Sequence, residues 1–156
     1  MDVLAWLSAS PLAAALRASG TLYLFVNAAH ILSIGLLVGA ILPLDLKMIG
    51  LIRSAPLEVV GPFLSRVAAT GLALAIVTGL CLFSVKPAEY AANPAFLVKL
   101  SLLAFGIANA LATRLNGRWR QAIASGYASA RLRVQAFLSL VVWIGTVVAG
   151  RWIGFL

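Results

Sequence analysis

From Ala18 to Leu44 the chain carries no aspartate, glutamate, lysine or arginine, and three more apolar runs follow. The second, Val67 to Val85, lies between Arg66 and Lys86. The third begins near Pro94 and ends before Arg114, interrupted only by Lys99; the fourth lies between Arg133 and Arg151. A bilayer core takes roughly 20 apolar residues as α-helix, and each run is near that length or above it. Lipid offers no partner to a free backbone N–H or C=O, so a chain at that depth closes its hydrogen bonds within helices. The expectation is an all-α integral membrane four-helix bundle with spans at about 22–44, 67–85, 94–113 and 134–152.

Composition points the same way. Of 156 residues, 63% are hydrophobic and 10% charged, against about 45–50% and about 25% in a soluble domain. A domain this small has too much surface for its volume to hide so many apolar side chains from water. The net charge of +8 would suggest nucleic acid for a soluble protein. Here the basic residues sit in short connections between apolar runs, which makes the lipid bilayer, and no nucleic acid, the expected partner. Cys81 is the single cysteine, which excludes an intrachain disulfide and any CxxC motif.

Residues 1–20 lack the basic start and unbroken apolar core of a signal peptide. Asp2 stands at the start, and Ser8, Ser10 and Pro11 interrupt the apolar stretch. The segment reads as a short amphipathic helix at the interface, with Trp6 as an anchor and Arg17 in water, ahead of a transmembrane domain over 21–156. At the start of the third span, Asn93 suits an N-cap and Pro94 the first helical position.

Lysine and arginine set the orientation. Lys47, Arg53 and Arg66 follow the first span, and Arg114, Arg118, Arg120, Arg131 and Arg133 follow the third. The opposite side holds Arg17, Lys86, Lys99 and Arg151. The positive-inside rule then places both termini on the periplasmic side of a bacterial inner membrane, in a multi-pass topology. Gly35 and Gly39 form a GxxxG in the first span, and Gly106 with Ala110 a GxxxA in the third. Such positions let helices approach closely; packing within one bundle is the first expectation, and a homo-oligomer or larger membrane complex the other. Spans two and four both open on Arg-Val after a basic connection, a hint of a 2+2 arrangement.

Polar residues at lipid depth are costly and need partners, so they mark candidate chemistry. With a rise of about 1.5 Å per residue, His30 lies roughly 12–14 Å in from the outer end of the first span. Tyr23, Asn27 and His30 share one face through spacings of four and three. Lys99 is roughly 7 Å into the third span by the same rise. Thr78 and Cys81 on the second span, and Trp143 and Thr146 on the fourth, fall in the same outer layer. His30 suits a metal or heme ligand or a proton carrier, with Asn27 orienting its ring and Cys81 as a further metal donor. Lys99 presents a cation to an anionic group, or snorkels to the interface. At the inner end Asp45 is placed to pair with Arg66 or Arg114. A Ser-His-Asp constellation is not available, nor is a phosphate loop or dinucleotide motif. With His30 the only histidine, heme would need Lys99, a second subunit or an open coordination position beside it.

The segments HILSIGLLVGAILPLDLKMIG, TGLCLF, NPAFLVKL and VVAGRWIGFL resemble a family of small bacterial inner-membrane proteins known only as a domain of unknown function. The resemblance spans nearly all of 22–156. More distantly, the chain is similar to CopD-like copper-resistance membrane domains and to the four-helix heme-binding protoporphyrinogen oxidase group. Their first-helix histidine and glycine fall on His30 and Gly39, and their NP…K opening of the third helix on Asn93, Pro94 and Lys99. That likeness implies a histidine site for heme b or copper. Three readings stand: a membrane protein binding a cofactor, metal or partner in its outer half; a heme-dependent membrane oxidoreductase; and a copper-handling protein or an accessory subunit of a membrane complex.

Overall fold

The computed structural model describes residues 3–155; Asp2 and the rest of the two extremes lie outside the described residues. Two short helices, α1 (Val3–Ser8) and α2 (Pro11–Ala18), precede the long helix α3 (Gly20–Ile49). Then come α4 (Leu57–Val85), α5 (Pro87–Ala92), α6 (Pro94–Leu115), α7 (Arg118–Ser125) and α8 (Ala130–Trp152), closed by a 3₁₀ turn at Ile153–Phe155. Among the described residues, four helices are long and apolar enough to cross a membrane, beginning at Gly20, Leu57, Pro94 and Ala130. The molecule is an all-α bundle of membrane-spanning helices.

Capping explains where the helices begin and end. Ser19 accepts from Leu22 N at the head of α3, and Ser129 from Leu132 N at the head of α8. Asn93 accepts from both Ala95 N and Phe96 N, with Pro94 at the first helical position, as its sequence suggests. Gly50 ends α3 at φ 98°, a left-handed conformation that a side chain would strain.

α3 packs along α4, α6 packs along α8, and α3 against α8 joins the two hairpins. The tightest approach is at Gly71 of α4, where an added Cβ would lie 2.5 Å from the backbone nitrogen of Leu37 and 3.0 Å from the carbonyl of Ser33. One buried cluster joins Leu37, Ala40, Ala68 and Trp143 at mid-depth, and another joins Leu44, Met48, Leu57, Ala122, Leu132 and Ala136 at the end opposite the termini. That second end carries the arginine-rich connections and is called the basic end below; the other is the terminal end.

Several expectations change. The second membrane helix starts at Leu57 rather than near 67, because Arg66 stays exposed on its flank and does not interrupt it. Two helices stand before α3 where one interfacial helix was expected, and Ala13 and Leu16 of α2 are buried. Trp6 is exposed, as an anchor would be. Arg17 is exposed too, yet its guanidinium donates to the Ser8 carbonyl at 2.7 Å and the Val85 carbonyl at 3.2 Å. It pins the segment to the end of α4 instead of standing free in water. Gly106 packs as expected, against the Trp143 indole. Gly35 and Gly39 do not: nothing lies within 4 Å of a Cβ at either, so they face outward from α3 and are not what brings α3 and α4 together.

Candidate functional site in the terminal half

His30 faces α4. Its Nδ1 lies 2.9 Å from Thr78 Oγ1, and the ring lies over Gly79, where a Cβ would come within 3.1 Å of Cε1. The Thr78 hydroxyl sits 2.7 Å from the Leu74 carbonyl, to which it donates its one proton. With that bond made, its oxygen is open to a proton on His30 Nδ1, and the ring also has the Ala75 carbonyl of α4 as a hydrogen-bond partner. Glycine at 79 makes room for this contact, since a Cβ there would press the imidazole back by a few tenths of an ångström.

Lys99 enters from α6 and lies along α8, its Cδ, Cε and Nζ each 3.5 Å from where a Cβ on Gly150 would stand. It is half-buried and within electrostatic reach of His30. Among the described residues the one ion pair is Lys86–Glu89, 3.0 Å apart at the surface, so none of their carboxylates neutralises Lys99. The structure thus brings His30 and Lys99 into one layer, one from each helical hairpin.

An aromatic cluster closes this end. Phe83 of α4 stacks on Phe96 of α6 with centroids 5.3 Å apart and planes 3° from parallel, and Tyr90 of α5 lies against both rings. Burial pushes the Tyr90 phenol above its usual value, helped by a hydrogen bond with Tyr23 and by Glu89 next to it.

The other expected site residues are placed differently. Asn27 is exposed and its side chain has no hydrogen bond within the described residues; Thr78, not Asn27, orients His30, because Asn27 sits on a flank of α3 that α4 does not cover. Cys81 is half-buried one turn beyond Thr78, and no group of three or more His, Cys, Asp or Glu side chains gathers around it or elsewhere among the described residues. Thr146 turns its hydroxyl onto the Val142 carbonyl. Trp143 packs deeper than expected, with Leu37, Ala40 and Ala68. Side chains lean toward their helix N-terminus; α3 and α8 run in opposite directions, so Trp143 leans to the basic end while His30 leans to the terminal end.

The expected pair of Asp45 with Arg66 or Arg114 does not form. Asp45 is 1% exposed and turned toward Ser139 of α8, with Oδ2 lacking any hydrogen bond. Arg66 stays outside on α4, and Arg114 donates to the hydroxyl of Ser65. Drawing either guanidinium into the bundle interior would cost more solvation than the pairing returns. Trp143 Nε1 is likewise buried without a partner.

Residues 3–156 match the profile of a family of unknown function, DUF6644. The chain belongs to that family. No curated protein and no solved structure shows significant similarity to it. For this DUF6644 member the expected likeness to CopD-like and heme-binding domains thus finds no support. Sequence reading found His30 and Lys99 by their rarity in apolar runs. It missed Gly79, Gly150 and the Tyr23–Tyr90 pair as site-forming residues; glycines at 79 and 150 carry no signal until the helices they face are known.

Proposed function

We propose that this protein binds a membrane-soluble anionic small molecule between His30 and Lys99, in the half of the bundle nearest the termini. The observation that carries the reading is a half-buried ammonium that pairs with no carboxylate among the described residues, within electrostatic reach of an imidazole held on Thr78. Burying an uncompensated cation at lipid depth costs free energy that an anionic ligand would offset. The Phe83–Phe96–Tyr90 cluster closes the layer toward the interface. In this reading the basic end faces the cytoplasm of a bacterial cell and the termini lie in the periplasm, in line with the distribution of arginine and lysine.

The ring nitrogen that does not meet Thr78 supports a second reading, in which His30 ligates a heme iron or a copper ion and Lys99 holds a propionate or other anion. Mass spectrometry of the organic extract from purified protein, with its absorption spectrum and metal content, separates the two. An acidic compound present in wild type and depleted in both His30→Ala and Lys99→Gln supports the first. A Soret band or bound copper lost in His30→Ala supports the second. Identical colourless, metal-free extracts from all three proteins refute both.

A further inference from the structure

At the basic end, far from His30, the last turn of α3, the connection after it and the start of α8 enclose a cleft of about 410 Å³. Lys47, Arg53 and Arg133 line it from those three segments, with Tyr127 at its side and Met48 and Leu57 at its floor. The fold makes the convergence. Gly50 turns the chain sharply after α3 and brings Arg53 back beside Lys47, while Ser129 starts α8 so that Arg133 falls in its first turn. Met48 and Leu57 belong to the buried cluster, so the floor is continuous with the apolar core.

Among the described residues no carboxylate lines this cleft. Glu58 stands at the rim, exposed, its carboxylate 3.2 Å from the Cβ position of the lining residue Gly126. None of Lys47, Arg53 and Arg133 forms an ion pair with a described residue. The free N–H groups and dipole of the α8 start add partial positive charge beside Arg133. Three unpaired cations above an apolar floor, where a spanning helix leaves the bilayer, match a phosphate group joined to a hydrocarbon body.

We propose that this cleft holds the headgroup phosphate of an anionic phospholipid from the adjoining leaflet. The lipid phosphate takes its charge contacts from Lys47, Arg53 and Arg133, and its glycerol and upper acyl carbons lie on Met48 and Leu57. A free phosphate would share the charge contacts but leave the apolar floor unused. The proposal concerns the opposite end of the bundle from the His30–Lys99 layer and stands without it.

The test is native mass spectrometry of the detergent-purified full chain with added phosphatidylglycerol or phosphatidylcholine, with and without millimolar inorganic phosphate. Wild type is expected to retain one phosphatidylglycerol in preference to phosphatidylcholine. Each surface cation contributes roughly fivefold to anionic-lipid binding, so Arg53→Gln with Arg133→Gln should weaken retention roughly thirtyfold. Arg66→Gln with Arg120→Gln removes the same charge from the same end outside the cleft and should change little. Arg53→Lys with Arg133→Lys should keep binding, and with the lipid preference of wild type it decides the matter if the glutamine pair does not fold. Equal retention of both lipids, equal loss in the two glutamine pairs, or displacement of the lipid by inorganic phosphate overturns the proposal.

Discussion

Replacing Gly71 by alanine tests how α3 and α4 are held. The new Cβ would stand 2.5 Å from Leu37 N, 2.9 Å from Leu37 Cα and 3.0 Å from the Ser33 carbonyl. All three are backbone atoms, so no rotamer change relieves the contact. Ordinary contact begins at 3.4 Å, and α3 must withdraw by about 0.9 Å at this point. Overpacking of this kind costs about 1–3 kcal/mol, and the gain in helix propensity on leaving glycine returns up to about 1 kcal/mol. The net expectation is a loss of up to about 2 kcal/mol, with loosened packing of Leu37, Ala40 and Ala68. Gly39→Ala is the matched control, since nothing lies within 4 Å of its Cβ position; it should be neutral or slightly stabilising. Unfolding by sodium dodecyl sulfate in dodecylmaltoside micelles, followed by circular dichroism at 222 nm, compares them. If Gly71→Ala is as stable as Gly39→Ala, the close approach does not govern the hairpin. If Gly39→Ala is the damaging change, α3 meets another chain along its glycine face.

Four other outcomes are expected. Thr78→Val removes the hydroxyl that meets His30 Nδ1 and should cost about 1 kcal/mol, with a shift of the imidazole nitrogen NMR signals; unchanged signals refute the Thr78–His30 hydrogen bond. Asp45→Asn keeps the shape of a buried side chain that has no cationic partner among the described residues. Because an uncompensated buried carboxylate costs several kcal/mol, the variant should unfold at the same or higher detergent fraction than wild type, and a clear loss would show that the carboxylate has a partner. Tyr90, with its phenol raised by burial, Tyr23 and Glu89, binds its proton more tightly folded than unfolded. Its contribution to stability is complete below the usual tyrosine value near 10 and fades as pH rises through the higher folded value; Tyr90→Phe should remove that alkaline loss in thermal melts. Arg17→Gln, which gives up bonds to the Ser8 and Val85 carbonyls, should speed proteolysis within residues 3–18 while leaving the α3–α8 bundle resistant.

Much of the fold is written in hydropathy. Runs without charge between Arg17 and Asp45, or between Arg66 and Lys86, leave no alternative to helices that satisfy their own backbone in lipid. The cap at Asn93–Pro94 was legible because its chemistry is local. The partial helices α5 and α7 were not, since six to eight residues carry too short a pattern and are held by what they pack on, as Ile123 and Trp119 of α7 are held against Gly61. His30 and Lys99 stood out because ionisable groups are rare at that depth.

What sequence alone determined is that the chain lives in lipid as an all-α bundle with its positive charge gathered at one end. Those properties sum over many residues and survive any rotation of a helix about its axis. Tertiary structure decided the rest: that Gly71 and not Gly35 or Gly39 touches a neighbouring backbone, that Thr78 and not Asn27 holds the imidazole, and that Asp45 turns to Ser139 away from both arginines. Each of these depends on helix rotation and offset. In a membrane, where every face of such a helix is nearly equally apolar, hydropathy carries almost no information about which face turns inward.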